Sequence, residues 1–341
     1  MPTFDNFEQM GRESHRIEES EVDNVLHRTD RVTFFGNRLC PYAHVAWWSL
    51  LEKNIAFDYV HIDLGTHKPD WYKSKINPYG TVPTLYDHGK AVFESVIIAE
   101  YLEEKFGAKG TRLLSTDPHE RAAVRLLITH FRERTLPPLY RLLKAQTPAE
   151  AKLAKELVLV EMLALELLYS KRIPNHSTST RIKPNPSSPS SPASSPSAGP
   201  FFLGSTFSLA EICIFPFLQR LSIALQHYRG LNVLQSTHLP CLQAAYDKIQ
   251  ERPAWKATAQ SSAFYIAVYE SYANPAPSSA AGGQKSERGG WGWKVASVVS
   301  LAGATLPVVS VLSFASFLLG VGIGWSYRKG PARTGKFVTI G

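Results

Sequence analysis

From Val295 to Tyr327 this 341-residue chain carries no charged residue. A core helix of that length shows a polar face. This segment holds only apolar and small residues and ends in Arg328, Lys329, Arg333 and Lys336. At 1.5 Å per residue it makes about 50 Å of helix, more than the hydrocarbon thickness of a bilayer and too little for two spans and a turn. A single span over part of it is expected, such as Gly303–Trp325. Pro307 can kink that span, and Trp291, Trp293, Trp325 and Tyr327 suit the two interfaces. A span this close to the chain end inserts after synthesis, which leaves the preceding body in the cytosol. The tail composition favours the mitochondrial outer membrane or a peroxisome over the endoplasmic reticulum. The Gly320, Gly322 and Gly324 spacing is no phosphate loop, because it lies inside this apolar stretch.

The net charge of +8 suggests nucleic acid until it is located. Lys285, Arg288, Lys294, Arg328, Lys329, Arg333 and Lys336 face only Glu287 beyond residue 281, so most of the excess flanks the apolar stretch. Such basicity belongs to a membrane flank rather than a folded binding face, and no nucleic-acid partner is expected. Three cysteines, Cys40, Cys213 and Cys241, make a sparse, odd set with no metal-type spacing. That argues for a reducing compartment and against a disulfide framework or a metal site. Residues 1–30 hold eight acids against three arginines and no apolar run, so neither a signal nor a transit peptide is expected there.

The ordered region reads as α/β followed by all-α. Residues 1–30 read as an acidic flexible leader. Arg31–Phe35 reads as a strand and Cys40–Lys53 as a helix opened by Pro41. Phe57–Asp63 follows as a strand, then Val82–Tyr86 and Ala91–Phe93 as a hairpin turning at Asp87–Lys90. A helix starts near Ser95. This βαβ–ββα order over 31–107 is that of a thioredoxin-like domain. A helical domain is expected over 117–270, interrupted at 171–199 by a Ser/Pro-rich insertion too polar to bury a core. Within it, Ser208 and Glu211 match a capping box before the apolar run Ile212–Leu225. A linker over 273–290, the anchor region 295–327 and a basic tail 328–341 complete the chain.

The strand–helix order places Cys40 at a helix N-terminus, where free N–H groups and the helix dipole favour a thiolate. Ala43 stands where a Cys-x-x-Cys motif would have its second thiol. A one-cysteine site needs an external thiol to turn over.

Four motifs stand in order: Leu39-Cys40-Pro41-Tyr42-Ala43, Lys68-Pro69-Asp70-Trp71, Asn77-Pro78-Tyr79-Gly80-Thr81-Val82-Pro83-Thr84-Leu85, and Phe93-Glu94-Ser95 with Tyr101-Leu102 after it. Together they resemble the cysteine-type glutathione transferases, the omega class and its plant and microbial relatives above all, over residues 31–270. The resemblance implies a glutathione transferase fold, followed here by one transmembrane helix, and glutathione as co-substrate. It implies that Cys40 forms a mixed disulfide with glutathione, and that Val82 offers its backbone to the cysteinyl part beside a cis Pro83. It further implies that Glu94 and Ser95 hold the γ-glutamyl end and Lys68 the glycyl carboxylate. The implied activity is thiol transfer or reduction of a small disulfide or an oxidised molecule such as dehydroascorbate. The competing reading is a non-enzymatic tail-anchored adaptor or channel-type protein on the same fold. A homodimer fits the family.

One departure stands out. Omega-type chains carry an arginine shortly after the cysteine motif, whereas Ala43-His44-Val45-Ala46-Trp47-Trp48 has none. His44 reads as a solvated helix residue, Trp47 and Trp48 as packing and rim residues, Cys213 as core and Cys241 as structural. Ser95 also suits a helix cap, and Lys68 a plain surface lysine.

Overall fold

The computed structural model describes residues 16–28, 30–64, 68–171, 199–234 and 238–275. The anchor region, the basic tail, the linker beyond residue 275 and nearly all of the 171–199 insertion lie outside them. Helix α1 (Glu19–Leu26) lies within the segment read as a flexible leader, of which residues 1–15 and 29 fall outside the described residues. Glu18 and Glu21 close a capping box, and Val22 and Val25, three apart, are buried. Arg16 pairs with Asp63, and Arg28 with Asp58 at 2.6 Å. Three apolar residues, Val22, Val25 and Leu26, on an acidic eight-residue helix are too few to register as a period.

Strand β1 (Val32–Gly36) is buried along its whole length. Val32 and Phe34 face the main core, while Phe35 joins a second cluster with Val22, Val60, Ile62, Trp71 and Tyr72. A strand covered on both faces is apolar throughout. β1 runs parallel to β2 (Phe57–His61) across helix α2 (Pro41–Glu52) and antiparallel to β3 (Thr84–Asp87), which pairs with β4 (Lys90–Phe93). The sheet order is β2-β1-β3-β4. His88 and Gly89 at φ +47° and +82° make the two-residue hairpin turn whose twist matches the strands. Helix α3 (Ser95–Lys105) then packs against α2. A wide π turn at Tyr72–Ile76, between β2 and β3, has no counterpart in the sequence reading.

The helical half comprises α4 (Pro118–His130), α5 (Leu136–Lys144), α6 (Pro148–Ser170), α7 (Leu209–Arg229), α8 (Pro240–Glu251), α9 (Pro253–Thr258) and α10 (Ser262–Ala273). A second π turn, Phe131–Thr135, joins α4 to α5. Pro137 and Pro138 follow it, and neither can donate the backbone hydrogen bond an α-helix would ask of it. Helix α7 is long and apolar enough to cross a membrane, yet 89% of that stretch lies inside the body. It is a core helix packed on α2, α4, α5 and α10.

The capping box at the head of α7 extends beyond the sequence motif. Glu211, fully buried, accepts from Ser208 N and Oγ at 2.8 and 2.7 Å. It also accepts from Phe202 N at 2.8 Å and from the Tyr169 hydroxyl at 2.6 Å. Removing the carboxylate strands several buried donors at once. Glu211→Ala should therefore cost at least about 3 kcal/mol of stability, read as a fall in the midpoint of urea unfolding.

Candidate functional site

The site is assembled at the end of the sheet where β1 stops. Asn37 fixes the turn there: its Nδ2 donates to Ile62 O at 2.8 Å, and its Oδ1 accepts from Leu39 N at 2.9 Å. Cys40 N donates to Asn37 O at 3.0 Å, which sets Cys40 as the residue capping α2. Because Pro41 has no N–H, the first free amides of the helix are those of Tyr42 and Ala43. Both favour the Cys40 thiolate, with no hydrogen bond from either to the capping side chain.

Across from the thiol lies the loop before β3. Cys40 Sγ donates to Val82 O at 3.9 Å, and the Val82–Pro83 bond is cis. Thr81 O accepts from the Tyr72 hydroxyl at 2.7 Å and from Asn77 Nδ2 at 3.1 Å, so the π turn holds this loop in place. Thr84 pairs with Phe93, which puts Val82–Pro83 and Glu94–Ser95 at the same end of the hairpin. Phe35 pairs with Thr84, so the end of β1 meets them there. Glu94 is exposed at φ +73°, and Ser95 is buried as the first residue of α3. The Glu94 charge acts on Tyr42. Lys68 is half-buried and leans with Lys73 over Gly80, whose φ of +61° leaves the backbone bare beneath them. Burial and the Lys73 charge lower the Lys68 pKa, while Cys40 acts in the opposite sense. The structure therefore sets Val82 against Cys40, with Pro83, Glu94 and Ser95 at the same end of the hairpin and Lys68 over Gly80 in the loop before it.

Burial is the dominant influence on Cys40 and pushes its thiol up. Against it work the two amides and the charges of Arg220 and Lys68. Cys213 and Cys241 lie on α7 and α8, and none of the three cysteines is in a disulfide. Cys213 is buried, and that burial drives its thiol far up. Aromatic side chains from the helical half close the other side. Tyr42 packs edge-on against Phe217 at 4.8 Å, Arg132 lies over the Tyr42 ring, and Tyr140 meets Tyr269 hydroxyl to hydroxyl at 3.4 Å.

His44 is not the solvated residue the sequence suggested. It is buried, and its ring sits between Trp47, Trp48 and Trp255. Arg220 Nη1 lies 2.8 Å from His44 Nδ1. Arginine only donates, so Nδ1 accepts and Nε2 carries the hydrogen, donating to Thr258 Oγ1 at 2.7 Å. Trp47 and Trp48 are both core. Arg220 was missed by motif reading; the available signal was a lone charge in the apolar run Ile212–Leu225.

A model of the glutathione S-transferase N-terminal domain matches residues 34–110, and one of its C-terminal domain matches residues 190–258. Over these two segments the chain is similar to the glutathione S-transferase family. Mouse glutathione S-transferase omega-2 is 38% identical over 109 residues, which is 32% of this chain and 42% of that protein. Pig glutathione S-transferase omega-1 is 27% identical over 191 residues, 56% of this chain and 67% of that one. The chain thus spans less than half the length of the omega-2 relatives it matches. The crystal structure of glutathione transferase Omega 3C from Trametes versicolor superposes with a TM-score of 0.56 at 25% identity, covering 73% of this chain and 94% of that one. This transferase fold includes the thioredoxin-like and helical halves described above.

Burial and the neighbouring Arg220 charge hold the His44 pKa well below 6.5. In the unfolded chain His44 takes up its proton near pH 6.5, so below that pH the unfolded state binds more protons than the folded one. Stability is therefore complete above about pH 6.5 and falls as the pH drops towards the folded-state value. In His44→Phe this component of the acid loss should be absent, seen as a flatter dependence of urea midpoint on pH between 6.5 and 5.

Proposed function

We propose that this protein is a glutathione-dependent thiol transferase in which Cys40 is the nucleophile. The observation that carries the reading is the Cys40 sulfur itself. It stands at a helix start with the Val82 carbonyl edge across from it. Glutathione would lie along that edge, its cysteinyl backbone against Val82 beside Pro83, its γ-glutamyl end at Glu94 and Ser95, and its glycyl carboxylate near Lys68. The aromatic wall of Tyr42, Tyr140 and Tyr269 suits a second substrate that is small and partly apolar.

The Cys40 thiolate attacks the glutathione sulfur of a mixed disulfide. The S–S bond breaks, the substrate sulfur leaves as a thiolate and takes a proton, and a Cys40–glutathione disulfide forms. A second glutathione thiolate attacks the glutathione sulfur of that bond, releasing oxidised glutathione and restoring Cys40. The net change converts the mixed disulfide and one glutathione thiol into the substrate thiol and oxidised glutathione. With dehydroascorbate the Cys40 thiolate would instead add to a carbonyl carbon. One glutathione thiolate then attacks the Cys40 sulfur, and the C–S bond breaks with its electron pair going to the substrate, which takes up protons as ascorbate. A second glutathione thiolate releases Cys40 as oxidised glutathione forms. No second cysteine is placed to resolve the disulfide at the Ala43 position, which suits an external thiol.

The full chain should reduce a glutathione mixed disulfide, and Cys40→Ser should lose at least about 100-fold in kcat/KM, a loss of nucleophilic rather than binding function. Unchanged turnover in the variant would remove Cys40 from the mechanism. Glutathione binding without turnover in either form would favour the adaptor reading.

We also propose that the body is held on a membrane, facing the cytosol, by the charge-free stretch Val295–Tyr327, on the mitochondrial outer membrane or a peroxisome. Its support is the sequence: no charge over a length sufficient to span. The full chain expressed in cells should stay in the pellet after alkaline carbonate extraction, and replacing Leu312 and Leu318 by Arg should release it. Release of the unmodified chain would sink the anchor.

A further inference from the structure

The family motifs leave unexplained a charge buried beside the thiol. Arg220 on α7 is 1% exposed and is the one charged residue between Ile212 and Leu225. Its Nη1 donates to His44 Nδ1 and to Pro216 O, each at 2.8 Å, and its Nη2 donates to Arg38 O at 3.3 Å. The guanidinium carbon lies 4.8 Å from the centre of the Tyr265 ring. Its Nε has no partner among the described residues, and among them no carboxylate forms an ion pair with it.

A buried guanidinium held by neutral groups is costly, and its charge is unscreened. It grips the chain on both sides of Cys40: Arg38 is two residues before, and His44, one helical turn after, donates its backbone N–H to Cys40 O at 3.0 Å. His44 is locked in turn. Its Nε2–H donates to Thr258 Oγ1, whose own hydrogen goes to Ala254 O at 3.0 Å. A neutral His44 is the only form that can accept from an arginine, so the same contact keeps the pair's charge on Arg220.

We infer that Arg220 is a positioning residue that supplies, from the helical half, the positive charge stabilising the Cys40 thiolate, and that His44 and Thr258 hold it in place. The cation absent from the sequence after Cys40 is thus provided by another element. Its bearing on turnover rests on the thiol-transfer reading; its bearing on the thiol does not. The other groups around Cys40 are Lys68 from the loop after β2, Tyr42 on α2, Tyr59 on β2, Tyr72 in the π turn and Tyr269 on α10. Burial keeps all four phenols neutral near pH 7, so Arg220 and Lys68 are the charges that act there.

The test is the pH profile of Cys40 alkylation by iodoacetamide in the full chain, followed by mass spectrometry of the Cys40 peptide so that Cys213 and Cys241 do not contribute. In Arg220→Gln the midpoint should rise by about one pH unit or more, a roughly tenfold loss of thiolate at neutral pH. Arg220→Lys, which keeps the charge, should recover most of that shift. A folded Arg220→Gln with the unmodified midpoint would make Arg220 a staple between the two halves and overturn the inference. Should Arg220→Gln fail to fold, His44→Phe decides: its ring cannot accept the Arg220 N–H, and an unchanged midpoint there overturns the inference equally. A shifted midpoint in a chain that turns over no glutathione disulfide would keep the inference and defeat the thiol-transfer reading instead.

Discussion

Helix α2 buries eleven of its twelve residues, all but Tyr42, and the rest of the molecule is arranged around that burial. A helix enclosed on every side must have its polar side chains answered one by one. Glu52 accepts from Trp48 Nε1 at 3.0 Å and from Arg252 at 2.7 and 2.6 Å. Lys53, at its end, donates to Glu103 at 2.8 Å. His44 answers to Arg220 and Thr258. These partners come from α3, from α7 and from the segment around α9, so both halves of the fold are tied to one helix. The reactive sulfur sits at the head of the element least free to move.

Such enclosure fits the proposed role, in which the Cys40 thiol attacks one disulfide and then waits for a second thiol. Burial alone makes a poor nucleophile, because it disfavours the thiolate. The amides of Tyr42 and Ala43 and the cations nearby oppose it. A dry setting also makes each opposing charge count for more than it would in water. The balance is set by elements far apart in sequence.

That separation explains what could be read in the chain beforehand. The strand order, the head of α2, the Val82–Pro83 edge and the Ser208–Glu211 box are local patterns, carried by residues a few positions apart. Helix α1 was hidden because three apolar residues on an acidic segment make no period, and the π turn at Phe131 because nothing in hydrophobic spacing separates it from a regular helix. His44 looked like a surface residue because its partners, Arg220 and Thr258, are 176 and 214 positions away. Mean hydropathy and length alone do not separate α7 from the stretch at Val295, although α7 carries Glu211, Arg220 and Arg229 and that stretch no charge. Both are apolar and long, and only the packing of α7 on four other helices shows that it belongs to the core.

The Glu211 carboxylate has a topological consequence. One of its oxygens accepts from Tyr169, the penultimate residue of α6, and from Phe202, where the chain resumes beyond the Ser/Pro-rich stretch. The two ends of that long connection therefore meet at a single atom. The entropy of closing a loop grows only with the logarithm of its length, by about 0.6 kcal/mol for each doubling. With its ends clasped this way, the connection is a place where the chain can gain or lose tens of residues at little cost to the fold. Length there is not constrained by the packing of the described residues.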